Sequence, residues 1–122
     1  MVTATEIARL QLDTERQPTM TVVHCTGDIA VGTLSRFSEH IRALIAERKP
    51  IRVDLANVTR VDSTGIGAFV AVWTAAKRRN CELKYINPST SIEEVMSVSA
   101  LLGMLEGHAE EERQLNAAFS PR

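Results

Sequence analysis

A chain of 122 residues with a net charge of −1 is the size of one domain. Hydrophobic residues make up 44% and charged residues 24%, ordinary globular usage that excludes bulk disorder. Fourteen basic against fifteen acidic side chains leave no overall basic footprint for nucleic acid, and Phe37, Phe69, Trp73, Tyr85 and Phe119 are too few for base-stacking platforms.

Residues 6–13 alternate through Ile7, Leu10 and Leu12, which predicts a strand. Glu15-Arg16-Gln17-Pro18 predicts a turn. Residues 19–26 are rich in Thr and Val and predict a second strand, antiparallel to the first across the short connection. Gly27 and Gly32 bracket an expected loop. Leu34, Phe37, Ile41, Leu44 and Ile45 share one helical face, so a helix is expected over 34–48, capped by Thr33 and stopped by Pro50. Ile51, Val53 and Leu55 alternate with polar residues and predict a third strand over 51–55. A loop through Asn57 and Arg60 is expected to follow it.

Val61-Asp62-Ser63-Thr64-Gly65-Ile66-Gly67 leads into a second helix carrying Ile66, Phe69, Val70, Trp73 and Ala76. Phe69, Val70 and Trp73 are expected against the sheet. Lys77, Arg78 and Arg79 suit the carbonyl end of that helix, and Asn80 its stop. Leu83–Ile86 predicts a fourth strand. Ser91-Ile92-Glu93-Glu94 reads as a capping box with Ser91 as the cap of a third helix. Residues 107–122 are set apart as a C-terminal tail, with Leu115, Ala118 and Phe119 spaced for a short helix. The order β-β-α-β-α-β-α plus tail predicts an α/β fold: a mixed sheet of four or more strands with helices packed on it.

Cys25 and Cys81 lie too far apart for a zinc or redox pair and are expected as buried free thiols. With no signal sequence and no membrane-length apolar run, the expected setting is the cytoplasm, without membrane insertion. Residues 36–84 hold ten basic and five acidic side chains, so the middle of the chain suits an acidic partner or a solvated mixed surface. His24 and Cys25 adjoin on a strand, face opposite ways and make no metal pair.

Asp62, Ser63 and Thr64 between a strand and a helix have two readings. They satisfy the orphan N–H groups of a helix start, while Gly65 and Gly67 let the backbone turn tightly. Alternatively, Ser63 is exposed and accepts a phosphoryl group at a helix N-terminus that tolerates the added charge. A hydrolase elbow would need Gly where Val61 stands, and no dinucleotide or phosphate-loop fingerprint is present. No catalytic residue, metal ligand or cofactor is assigned.

The run Val53-Asp54-Leu55, Val58 and Val61-Asp62-Ser63-Thr64-Gly65-Ile66-Gly67, with Thr26-Gly27-Asp28-Ile29, resembles the STAS domain, especially that of bacterial anti-sigma-factor antagonists. The resemblance spans about residues 6–106. It implies a non-enzymatic partner switch. The unmodified domain would bind an anti-sigma factor that is also a serine kinase; the kinase would phosphorylate Ser63, and a phosphatase would reverse it. The loop at Asp62–Gly65, the loop at Gly27–Gly32 and the start of the second helix would form the docking surface, with Asp28, Asp62, Ser63, Thr64, Gly65 and Ile66 as its contact residues. The family's G-E-[IL]-D segment reads Gly27-Asp28-Ile29-Ala30 here, so the second acidic residue is replaced by Ala30. That departure keeps open a STAS accessory subunit of a lipid-transport ATPase or a sensory complex.

Overall fold

The computed structural model describes residues 9–119. Strands β1 (Leu10–Arg16) and β2 (Thr21–Ile29) pair antiparallel, and the Gln17 N–H donates to the Met20 carbonyl at 2.8 Å to close the turn between them. Helix α1 (Leu34–Ile45), strand β3 (Ile51–Val61), helix α2 (Ser63–Arg78), strand β4 (Leu83–Ile86) and helix α3 (Thr90–Val98) follow. A 3-10 turn at Leu102–Met104 leads to helix α4 (Ala109–Phe119). The sheet order is β1-β2-β3-β4, with β2, β3 and β4 parallel. The expected mixed four-stranded α/β architecture is therefore the observed one.

Alternation along the strands buries Leu10, Val23, Cys25, Ile51, Val53, Leu55, Leu83 and Tyr85. Helix α1 contributes Phe37, Ile41, Leu44 and Ile45 to the same core. Helix α2 contributes Ala68, Phe69, Val72, Trp73 and Ala76. Val70, expected in that stripe, is only half-buried, and Val72 takes the core position instead. Both cysteines are buried and unpaired, and burial pushes the Cys25 thiol up to about 12, which leaves it inert at neutral pH. In the C-terminal segment, Leu115 is buried and the Lys84 ammonium pairs with Glu112 at 3.0 Å, so α4 is held against the rest of the fold.

Several boundaries differ from expectation. Strand β1 continues through Glu15 and Arg16, where a turn was expected. Strand β2 runs on through Gly27 to Ile29, where a loop was expected. Gly27 sits at φ 111°, and a Cβ there would lie 2.1 Å from the Arg9 carbonyl oxygen, so only glycine lets β2 pass. Strand β3 extends to Val61 because pairing with β2 satisfies its backbone even where Asn57, Thr59 and Arg60 stand exposed. Helix α1 ends at Ile45, three residues earlier than expected, and Arg48 then takes the left-handed conformation at φ 61°. The cap of α3 is Ser89, whose hydroxyl accepts from the Ile92 N–H at 3.3 Å, and not Ser91. Residues 6–8 of the first expected strand and 120–122 of the tail lie outside the described residues.

On the side of the sheet away from this core, His24 bridges three strands. Its Nδ1 lies 2.7 Å from Asp54 Oδ2 and its Nε2 lies 3.0 Å from Glu15 Oε1. The hydrogen bond to Glu15, then that to Asp54, raises the His24 pKa above its usual value. A raised folded value means the stabilisation is complete below the unfolded pKa of about 6.5 and is lost as pH rises through the folded value. The melting temperature should therefore carry a component that falls as pH rises through the range just above about 6.5, absent in His24→Gln. Melting curves of the two proteins across that range test it; parallel pH profiles would remove His24 from the account.

Candidate functional site

The parallel strands bring the end of β2 beside the end of β3, where α2 begins. Asp62 holds the N-cap position of α2 with extended backbone, at φ −93° and ψ −176°. Its Oδ1 accepts from the Gly65 N–H at 2.9 Å and from the Thr64 hydroxyl at 2.5 Å. Its Oδ2 accepts from the Val31 N–H at 3.1 Å. One carboxylate thus caps a helix and ties the β2–α1 loop to it. The Thr64 hydroxyl, then the backbone N–H groups of Gly65 and Val31, hold the Asp62 carboxyl down to about 2.

The β2–α1 loop is also stitched from within. The Thr33 hydroxyl donates to the Asp28 carbonyl at 2.9 Å and accepts from the Ala30 N–H at 3.1 Å. Thr33 occupies the N-cap position of α1 but makes no side-chain cap bond, so its expected role is corrected: it shapes the loop. Ala30 is fully buried. Val31, next to it, is 63% exposed, an apolar side chain on the rim of the site.

Ser63 is exposed, and its hydroxyl makes no hydrogen bond among the described residues. Thr64 is exposed as well, but its hydroxyl proton is committed to Asp62. The two neighbouring hydroxyls are therefore inequivalent. A phosphate on Ser63 would sit at the N-terminus of a 16-residue helix, whose dipole favours negative charge.

Of the six residues expected at the site, Asp62, Ser63, Thr64 and Ile66 lie together at the start of α2, with Ile66 half-buried. Gly65 is buried, so it shapes this surface from beneath. Asp28 belongs to β2 and is engaged by Arg9 at 3.6 Å and by the Thr59 hydroxyl at 3.3 Å. Gly67 lies in the body of α2 with open space around it, which corrects the expectation that it serves a tight turn. Val31 lies in the Gly27–Gly32 loop expected at the docking surface, although nothing in the sequence singles it out there; Thr33, just beyond that loop, is expected only as a helix cap.

Among the described residues no group of three or more His, Cys, Asp or Glu is placed to hold a metal ion. Among the same residues no helix is long and apolar enough to cross a membrane.

Residues 12–114 match the family model described as Mlab, STAS domain. Over 103 residues the sequence is 24% identical to the anti-sigma-B factor antagonist of Bacillus subtilis, covering 84% of this chain and 94% of that protein. The fold is similar to the crystal structure of an anti-sigma factor antagonist from Mycobacterium paratuberculosis, with a TM-score of 0.70 at 16% identity over 86% of this chain and 92% of that one. It is also similar to the Bacillus cell fate determinant SpoIIAA in its phosphorylated form, with a TM-score of 0.62 at 16% identity over 87% and 98% of the two chains. At these identities the structural likeness is one of fold.

Proposed function

The chain belongs to the STAS domain family, and from that premise we propose that it is an anti-sigma-factor antagonist working as a phosphorylation-controlled partner switch. With Ser63 unmodified it binds an anti-sigma factor that is also a serine kinase. Phosphorylation of Ser63 releases the partner, and a serine phosphatase resets the switch. The role is binding in the cytoplasm, with no chemistry of its own and no cofactor. The observation that carries this reading is the free, exposed hydroxyl of Ser63 beside an Asp62 and a Thr64 that are already tied to each other. Val31, Asp62, Thr64 and Ile66 surround it as the docking rim, with Asp28 as a more distant member.

Phosphate adds about −1.5 to −2 charges at neutral pH. A partner shaped for a hydroxyl would face a desolvated dianion next to Asp62. An unpaired buried charge at an interface costs about 2–5 kcal/mol, which is about 30- to several-thousand-fold in affinity. Ser63→Ala should keep partner binding and block modification. Ser63→Glu should weaken binding, by less than phosphate because it carries only about one charge. Titration calorimetry against the anti-sigma partner captured from native lysate tests the set. Equal affinities for wild type, Ser63→Glu and the phosphorylated form would reduce Ser63 to a helix-start residue.

Ala30 favours a second reading. The antagonist pattern carries an acidic residue where this chain buries an alanine. An accessory STAS subunit of a lipid-transport ATPase or a sensory complex would use the same surface without needing phosphorylation. Capture of such an assembly in place of a kinase, with Ser63 unmodified, would select it.

A further inference from the structure

The far end of α2 presents a second surface that this reading does not use. Arg42 lies in the last turn of α1 and Arg48 just beyond it. Lys77 and Arg78 lie in the last turn of α2, and Arg79 is its C-cap. All of these side chains are exposed. The two basic turns adjoin, because the Cys81 thiol donates to the Lys49 carbonyl at 3.3 Å and the Ile51 N–H donates to the Glu82 carbonyl at 2.8 Å.

Two nearby carboxylates are already occupied. The Arg16 guanidinium holds Glu47 at 2.9 Å, and the Arg52 guanidinium holds Glu82 at 2.6 Å. Arg42, Arg48, Arg78 and Arg79 make no ion pair among the described residues, and Lys77 rests 4.8 Å above the Trp73 ring. Cations at helix ends complement the dipole. That role does not explain Arg48, which lies outside the helix at φ 61°, a conformation glycine adopts at less cost.

We propose that this basic end is a second docking surface, and that it takes an acidic segment of a partner protein. Arginine dominates it, and guanidinium forks pair with carboxylates in register and are enriched at protein interfaces where lysine is depleted. It offers nothing to insert into a bilayer, since the exposed large apolar side chains Val31, Val95 and Val98 lie elsewhere. It offers no exposed ring for stacking on bases, since Trp73 is only 1% exposed. The acidic helix of a second copy is a poorer match, because Glu110 and Glu112 there are paired with Arg113 and Lys84. A helix of this length places Arg78 about 22 Å from Ser63, so both ends can be occupied at once.

The test is fluorescence anisotropy with a labelled oligoglutamate peptide at low ionic strength, alongside phosphatidylserine-containing vesicles and duplex DNA. The peptide should bind, and binding should fall steadily as salt is added. The triple variant Arg48→Gly/Arg78→Gln/Arg79→Gln should bind about tenfold more weakly while keeping its circular dichroism, because each side chain is exposed and unpaired. The single variant Arg79→Gln should show a smaller loss in the same direction. No binding of the peptide, equal binding by the triple variant, or tighter binding of vesicles or DNA than of peptide would overturn the proposal. The assay contains no anti-sigma partner, so its failure leaves the Ser63 reading standing.

Discussion

Replacing Phe69 with alanine is expected to lower the unfolding free energy by about 3–5 kcal/mol, a large share of the stability of a domain this size. Phe69 is fully buried on α2. Its ring stacks on Tyr85 of β4 at 4.4 Å between centroids and meets Phe37 of α1 at 5.8 Å. It therefore joins both helices to the sheet. Truncation removes the ring's transfer free energy and leaves a cavity whose walls belong to three elements. The Tyr85 hydroxyl donates to the Phe69 carbonyl at 2.9 Å, and this backbone bond survives the substitution and restrains collapse into the gap. Val70→Ala is the internal comparison. Val70 is half-buried, so its loss should cost under about 1.5 kcal/mol. Urea titrations with unchanged slope read both values. Similar midpoint shifts for the two variants would mean that the core is not centred on Phe69.

The same residues show how much of the fold was legible beforehand. Among the described residues apolar spacing placed the four strands and the core faces of α1 and most of α2, because burial of one face is written into the period, although in α2 Val72 takes the place expected for Val70. Extents were less legible. Strand β3 was expected to stop at Leu55, yet it continues through Ala56, Asn57, Thr59 and Arg60 to Val61. Ala56, Asn57 and Arg60 break the strand signal of the β-branched residues around them. Their backbone stays extended because β2 lies alongside with matching hydrogen-bond partners, a tertiary cause that local propensity does not contain. The caps of α1 and α3 failed for a related reason, whereas the helix-start role of Asp62 held. Ser89 and Ser91 are both acceptable caps, and Thr33 is a good one, but the choice rests on where the chain enters the helix.

At the site, the sequence located Asp62, Ser63 and Thr64 but did not distinguish the hydroxyls. The distinction comes from a rotamer: Thr64 turns its oxygen onto the Asp62 carboxylate and Ser63 does not. Val31 joins the site through its backbone N–H, which every non-proline residue possesses, so its identity carried no signal. Asp28, legible as part of the motif, is spent on Arg9 and Thr59.

Gly65→Ala and Gly67→Ala, two residues apart on one helix, are expected to act in opposite directions. A Cβ at Gly65 would lie 2.0 Å from the Ile29 carbonyl oxygen, 3.0 Å from its carbon and 2.9 Å from Val61 Cγ1. The main obstacle is backbone, so it cannot swing aside. The start of α2 would have to withdraw from the end of β2, at a cost of about 3 kcal/mol or more. Withdrawal would also pull the Asp62 carboxylate from the Val31 N–H and loosen its bond with Gly65. A Cβ at Gly67 meets nothing within 4 Å. Alanine there should stabilise the helix by about 0.5–1 kcal/mol. The Asp62 carboxyl gives an independent readout. Its depressed folded value, about 2, means that its contribution is present above the unfolded value of about 3.9 and is lost as pH falls through about 2. In a Gly65→Ala protein that still folds, the Asp62 titration followed by NMR should move up toward the ordinary carboxylate range, while in Gly67→Ala it should stay where it is. Loss of stability in both variants, or an unmoved Asp62 in a folded Gly65→Ala protein, would mean that the contact between α2 and Ile29 does not set the site's geometry.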